Sequence, residues 1–244
     1  LGPGGSLSVG GGGSGGGGYG GAGGNADSPG GSPYGNANAP VDPGSGSGYV
    51  NQNPTPPGGG LIRIAVAGTA EINGLLTAGG GNHGNRSGGA SGGGIAIDCS
   101  TFSGNWQLTA TGGTSGVVSG GGGGGGRIAV ARQYHRWTGS ANVLAGTGAS
   151  APGTPGTAVW IQKPAPPLIA NRAATNVTYL SANFNGTFSS TGTAQTVARM
   201  FWGLADAGTN RTAWAGTNEF GIMPADQADL TVSIGSLIEG TNYY

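Results

Sequence analysis

The sequence predicts an all-β protein, in which a glycine-rich repeat region of the β-solenoid (β-helix) type is followed by a small immunoglobulin-like β-sandwich. Three observations predict this fold class. Glycine supplies 59 of the 244 residues and only 7% are charged, against roughly 7% glycine and about 25% charge in ordinary domains. Short apolar strands follow glycine runs at a regular spacing, and the composition changes at the proline-rich segment 164–167.

Three similar strands each begin after a run of glycine. The sequence Gly-Gly-Gly-Leu-Ile-Arg-Ile-Ala-Val starts at Gly58, Gly-Gly-Gly-Ile-Ala-Ile-Asp-Cys at Gly92, and Gly-Gly-Arg-Ile-Ala-Val-Ala at Gly125. Their first core isoleucines are spaced by 33 residues, and a fourth strand places Val159 31 residues after Ile128. A regular period of this length is typical of stacked coils.

A second strand is predicted in each period, so that two strands and one glycine loop make a coil. These strands end at Ala78, Ala110 and Gly146. Because side chains alternate along a strand, one face of the first strands is predicted to form the core. This face carries Ile62, Ile64, Val66, Ile95, Ile97, Cys99, Ile128 and Val130, and the opposite face carries Ala65, Ala96, Ala129 and Ala131.

The glycine runs admit two interpretations. Residues 10–13, 15–18 and 120–126 are either flexible loops or extended, polyproline-II-like chains that pack side by side. Ordering them costs about 1 to 2 kcal/mol of backbone entropy per residue. Dense packing or assembly is therefore needed to offset that cost.

The N-terminal region and the aromatic residues suggest an assembly role. Residues 7–10 resemble the second strand of a coil with no first strand before it, and the segment 10–60 is long for a structureless loop. Trp106 and Trp160 are expected to cap the solenoid core. The predicted assembly-interface residues are Leu7, Val9, Tyr19, Tyr34, Tyr49, Tyr243 and Tyr244.

The predicted domains are residues 1–163 for the solenoid, 164–170 for a proline-rich linker and 171–244 for the sandwich. Strands of the sandwich are expected at 179–188, 197–202, 213–220 and 230–234.

The second domain resembles a fibronectin type III-like module. The resemblance is carried by residues 174–186, by Phe201-Trp202-Gly203 with Trp214, and by residues 237–243, where a tyrosine hydroxyl would lock a corner of the sandwich. The glycine-rich half is similar to regions of surface proteins and adhesins of environmental bacteria. These resemblances imply a structural or adhesive protein at the cell surface.

The family's pattern would continue into a last strand beyond Tyr243 and Tyr244, which predicts an open strand edge. Either the chain is a fragment, or subunits complete one another head to tail. Zero net charge also favours self-association. The expected partner is therefore a second copy of the chain, with a surface polysaccharide as the alternative.

Candidate chemistry is sparse. Glu71 and Asp98 are the only acidic pair in the solenoid strands, and Asp98 is also able to pair with Arg63 of the neighbouring coil. His83 and His135 lack metal-ligand spacing, and Glu219, Asp226 and Asp229 lack a calcium-loop pattern. We expect no metal, no cofactor and no catalytic activity. Asn85, Asn176, Asn185 and Asn210 fit the glycan acceptor pattern.

Three functions remain from the sequence. The favoured one is a structural subunit of an extracellular bacterial filament, sheath or surface layer. The second is a cell-surface adhesin or carbohydrate-binding stalk, and the third is a β-helix enzyme that acts on polysaccharide. The absence of a basic stripe argues against nucleic acid as a partner, and no apolar run is long enough to span a membrane.

Overall fold

The computed structural model describes residues 2–6, 12–48, 55–116, 118–224 and 227–244. The chain divides into two compact units, Leu1–Lys163 and Pro164–Tyr244. The boundary falls at the start of the proline-rich segment, where the composition changes.

The first unit contains a parallel β-solenoid of about three turns, with three strands in each coil. The first coil is β1 (Leu61–Ala65), β2 (Thr69–Ile72) and β3 (Leu76–Thr77). The second is β4 (Gly94–Asp98), β5 (Thr101–Gly104) and β6 (Gln107–Thr109). The third is β7 (Arg127–Arg132), β8 (Tyr134–Trp137) and β9 (Ser140–Asn142), and β10 (Thr157–Gln162) follows. The sheet orders are β1-β4-β7-β10, β2-β5-β8 and β3-β6-β9.

The 33-residue period of the first strands is confirmed by their register. Ile62 pairs with Ile95 and Ile95 with Ile128, while Ile64 pairs with Ile97 and Ile97 with Val130. Identical or similar side chains therefore stack along the solenoid axis and fill the same part of the core in each coil.

The apolar face was also predicted correctly in its centre. Ile95, Ile97, Ile128 and Val130 are almost fully buried, and they pack with Phe102, Leu108 and Trp137 from the other two sheets. Val66 is the exception, because it follows the end of β1 and remains exposed.

Two details of the predicted repeat are wrong. Each coil has three strands rather than two, because the middle strands Thr-Ala-Glu-Ile, Thr-Phe-Ser-Gly and Tyr-His-Arg-Trp share no common motif. In the third coil Ala141, rather than Leu144, occupies the position of Leu108. In the last strand Ala158, rather than Val159, pairs with Ile128.

The second unit contains only antiparallel sheets and is sandwich-like. Strands β11 (Leu168–Thr175), β12 (Ala182–Ser190) and β15 (Ala228–Ile234) form one sheet in the order β11-β12-β15. Strands β13 (Val197–Trp202) and β14 (Gly216–Ile222) form the other. The buried apolar residues are Phe188, Ala198, Met223 and Leu230.

The predicted linker 164–170 extends too far. Its last three residues, 168–170, are already part of β11, a strand that the sequence analysis did not assign. No helix among the described residues has the length and apolar character needed to cross a bilayer.

Candidate functional site

The glycine-rich segments form a bundle of extended chains in the first unit. Pairs of segments lead away from one coil and return to the next, and they pack with the N-terminal segments 12–18, 22–31 and 41–48. None of these segments is a β-strand, yet their backbone groups are hydrogen-bonded to one another. The bundle is the most unusual feature of the chain and the first candidate for its function.

Hydrogen bonds of residues 14–18, which we call the central segment, show how the bundle is built. Three successive amides donate to three different chains: Gly16 N to Gly24 O at 3.0 Å, Gly17 N to Gly89 O at 3.0 Å and Gly18 N to Gly4 O at 2.8 Å. A backbone with three residues per turn points successive groups in three directions, as in a polyproline-II helix. The central segment therefore bonds to its neighbours on all sides, unlike a β-strand.

Six segments surround the central segment. They are identified by hydrogen bonds or by glycine contacts through Gly4, Gly24, Gly31, Ser45, Gly89 and Gly124. Of the two interpretations of the glycine runs, the structure therefore shows packed, extended chains in residues 12–18 and 120–126.

The bundle requires glycine because its chains lie backbone against backbone. A Cβ atom on Gly16 would lie 2.0 Å from Gly122 O, and one on Gly123 would lie 1.9 Å from Ala90 O. Contacts this short do not occur between real atoms. Any larger residue would push two hydrogen-bonded chains apart, as in other structures that admit only glycine at a crowded position.

Buried serines join chains inside the bundle, and the sequence analysis missed them. Ser14 Oγ donates to Gly48 O and accepts from Gly88 N, both at 2.8 Å. Ser6 Oγ donates to Gly15 O and accepts from Gly48 N, both at 2.5 Å. A single serine within or beside a glycine run is the sequence signal that marks these positions, because a short hydroxyl side chain satisfies backbone groups that would otherwise be buried without a partner.

Arg127 links the N-terminal chains to the solenoid. Its Nη2 and Nε donate to Tyr34 O at 2.7 and 2.9 Å, and its guanidinium lies 5.5 Å from the centre of the Tyr19 ring. Arg127 is the first residue of β7 and occupies the position held by Leu61 and Gly94 in the preceding coils. This departure from the repeat was the available signal for its role.

The interface predicted at Tyr19 is corrected by its burial. Its side chain has no exposed area within the chain, and its ring lies 4.8 Å from that of Tyr34. Burial is the main cause that raises the pKa of Tyr19 to about 12, and Asp42 adds to the effect. Tyr34 is half-buried, and its hydroxyl donates to Pro43 O at 2.5 Å.

The remaining predicted interface residues are divided between two places. Leu7, Val9 and Tyr49 lie outside the described residues. Tyr243 and the exposed Tyr244 lie in the second unit, where the Tyr243 hydroxyl accepts a hydrogen bond from Ile238 N at 3.1 Å. This bond lies in the turn for which the sequence analysis expected a tyrosine lock.

An aromatic cluster covers the last turn of the solenoid. Trp160 of β10 continues the column of Ile64, Ile97 and Val130, and its ring centroid lies 5.2 Å from that of Trp137 and 6.1 Å from that of Phe102. His135 joins the cluster at 5.5 Å from Trp160, and burial together with Arg132 lowers its pKa.

The expected caps differ in exposure. Trp160 is 37% exposed and packs on the core, whereas Trp106 is 52% exposed. The cluster therefore assigns the capping role to Trp160.

The acidic residues of the solenoid strands are separated from each other. Glu71 accepts a hydrogen bond from Asn73 at 2.7 Å, while Asp98 forms an ion pair with Lys163 at 2.7 Å rather than with Arg63. Within the described residues, no three His, Cys, Asp or Glu side chains are grouped as metal ligands would be.

No family model, curated protein or solved structure matches this chain, so its function is inferred from its own geometry.

Proposed function

We propose that the chain is a structural subunit of an extracellular bacterial filament, sheath or surface layer. The glycine bundle is the observation that carries the proposal. Its interior is backbone against backbone, with almost every contact fixed by hydrogen bonds between different chains. Such packing leaves no room for side-chain chemistry but produces a dense, directional scaffold, which suits a load-bearing role.

The strand edges supply a route to assembly. The first coil leaves β1, β2 and β3 at the edge of all three parallel sheets, and β10 forms the other edge of the largest sheet. Unpaired edges are templates for strands of another chain. Because all strands of this sheet are parallel, a copy that places its β1 beside β10 continues the sheet in the same direction. A repeated head-to-tail contact of this kind produces a filament.

The hydrogen-bond pattern shows which backbone groups of β1 face the free edge. Gly60 O accepts from Gly94 N, and Val66 N donates to Asp98 O, so residues 60, 62, 64 and 66 face β4. The alternation along a strand then directs the backbone groups of Leu61, Arg63 and Ala65 outward. Proline at position 63 would remove an outward N–H without breaking a bond to β4.

The test is negative-stain electron microscopy of native material and of the recombinant chain, with two variants. We expect filaments from the unmodified chain and from Arg63→Ala, which keeps the N–H group. Arg63→Pro is expected to remain folded by circular dichroism but to lose the filaments. Monodisperse monomers of the native and recombinant material, or filaments of unchanged abundance from Arg63→Pro, would contradict assembly through this edge.

A second function has its own supporting observation. Trp106 and Trp160 expose 52% and 37% of their surface, and exposed indole rings are able to stack on sugars. This exposure favours a carbohydrate-binding stalk or adhesin as the alternative. Binding of a polysaccharide by monomers that never form filaments would move this function to first place.

A further inference from the structure

The edge of β13 in the second unit begins a strand pairing that is not completed. Strand β13 pairs with β14 on one side. On the other side, just beyond its end, Tyr244 N donates to Gly203 O at 3.0 Å and Gly203 N donates to Tyr244 O at 3.3 Å. Two residues that exchange both bonds form a hydrogen-bonded pair of an antiparallel ladder. Tyr244 therefore takes the place of the first residue of a strand beside β13.

The direction of the backbone groups along β13 can be followed from its two ends. Thr196 O accepts from Met223 N at 2.9 Å, so Thr196 faces the β14 side. Gly203, seven positions later, faces Tyr244 on the opposite side, as strict alternation requires. The register shift between β13 and β14 places the extra residue on β14, which leaves β13 regular. The N–H and C=O groups of Arg199 and Phe201 therefore point to the free edge.

The same edge borders an apolar cleft of the second unit. The cleft has a volume of about 430 Å³, and its lining includes Phe184, Phe201, Trp214, Phe220 and Tyr243. Side chains alternate in direction along a strand, so a strand added to β13 would direct every second side chain over this cleft. Burial of apolar surface would then add to the new backbone hydrogen bonds.

We propose that the free edge of β13 is a docking site for one extended segment joined to Tyr244. The segment runs antiparallel to β13, bonds to Arg199 and Phe201, and carries apolar residues at alternate positions that cover the cleft. The proposal concerns the second unit alone and does not depend on the proposed filament.

The test extends the full chain by six residues after Tyr244. One version adds Val-Thr-Val-Thr-Val-Thr and the control adds Gly-Ser-Gly-Ser-Gly-Ser. Amide hydrogen exchange is then measured residue by residue by NMR. We expect about tenfold or slower exchange at Arg199 and Phe201 in the Val-Thr version than in the control. Met200 and Trp202, whose amides face β14, provide the internal comparison and should change less.

A pair of substitutions in the Val-Thr version checks the register. Arg199→Pro removes an N–H that faces the free edge and is expected to abolish the added protection of Phe201, whereas Arg199→Ala retains it. Equal exchange of Phe201 in the Val-Thr and Gly-Ser chains would overturn the proposal, whatever the proline variant does. Protection that appears in both chains only at high concentration would also overturn it, because a second copy would then supply the strand.

Discussion

Gly59 and Gly60 show at the residue scale why the bundle depends on glycine. The two residues are adjacent, but a Cβ on Gly59 would lie 2.1 Å from Ala78 O, whereas a Cβ on Gly60 would meet nothing within 4 Å. The same chemical change therefore has opposite consequences at neighbouring positions.

We predict that Gly59→Ala destabilises the first unit by about 2 kcal/mol or more, because a buried backbone has to move. Gly60→Ala is expected to change stability by less than about 1 kcal/mol, with a gain from the reduced entropy of the unfolded chain. Urea unfolding of the two variants measures both effects. Equal losses would show that the backbone approach at Gly59 is not as close as described.

Tyr19 makes the stability of the first unit depend on alkaline pH. Its folded-state pKa of about 12 lies above the usual value of 10.0. The stability that comes from the neutral hydroxyl is therefore fully present below pH 10 and is lost as the pH rises towards 12. A raised pKa of this size corresponds to roughly 2 to 3 kcal/mol.

We expect Tyr19→Phe to lack this part of the alkaline loss, because phenylalanine does not ionise. Tyr179→Phe is the control, since Tyr179 is 78% exposed, and it should behave as the unmodified chain. The measurement is the free energy of unfolding in urea at pH 8, 10 and 11.5. A pH dependence of Tyr19→Phe identical to that of the unmodified chain would contradict the burial of the hydroxyl.

The residue scale was the least predictable from the sequence. The inward isoleucines follow from alternation alone, since each carries its own apolar signal. By contrast, the burial of Ser14 and Tyr19 depends on which of many similar glycine segments lie beside them, and no local pattern specifies that choice. Arg127 was overlooked because a charged residue after a glycine run resembles an exposed strand end.

At the scale of elements, the first strand of each coil was predicted well and the middle strand was missed. Strands β1, β4 and β7 repeat the same apolar alternation after glycine. Strands β2, β5 and β8 are held by parallel backbone pairing and by unlike core residues, such as Ala70, Phe102 and His135 at one register position. Pairing of this kind leaves no periodic signal in the sequence.

The last strand of the solenoid gives a prediction at this scale. Trp160 covers the core of the third coil, so Trp160→Ala should destabilise the first unit by about 1 to 3 kcal/mol, less than a fully buried tryptophan because part of the ring is exposed. Trp106→Ala, at a more exposed position, is expected to cost less than about 1 kcal/mol. Thermal unfolding followed by tryptophan fluorescence compares them, and a larger loss for Trp106→Ala would refute the assigned cap.

At the scale of the whole molecule, two different ways of pairing backbones occur in one chain. The solenoid stacks strands into parallel sheets around an apolar core, while the glycine bundle joins chains in three directions without one. The solenoid period and the change of composition near residue 164 were readable from the sequence. The order of the glycine runs was not, since the same composition is also typical of flexible chains.

Residue-resolved amide hydrogen exchange of the glycines in the first unit tests the ordered bundle most directly. The amides of Gly16, Gly17 and Gly18 donate to three different chains, so we predict exchange slowed by about a thousandfold or more relative to an unfolded chain, comparable to the amides of the central strand β4. Gly84, which has open space around it, should exchange rapidly and provides the reference. Exchange of Gly16, Gly17 and Gly18 at the rate of Gly84, while β4 remains protected, would show that the glycine runs are flexible and would contradict the bundle on which the structural role is based.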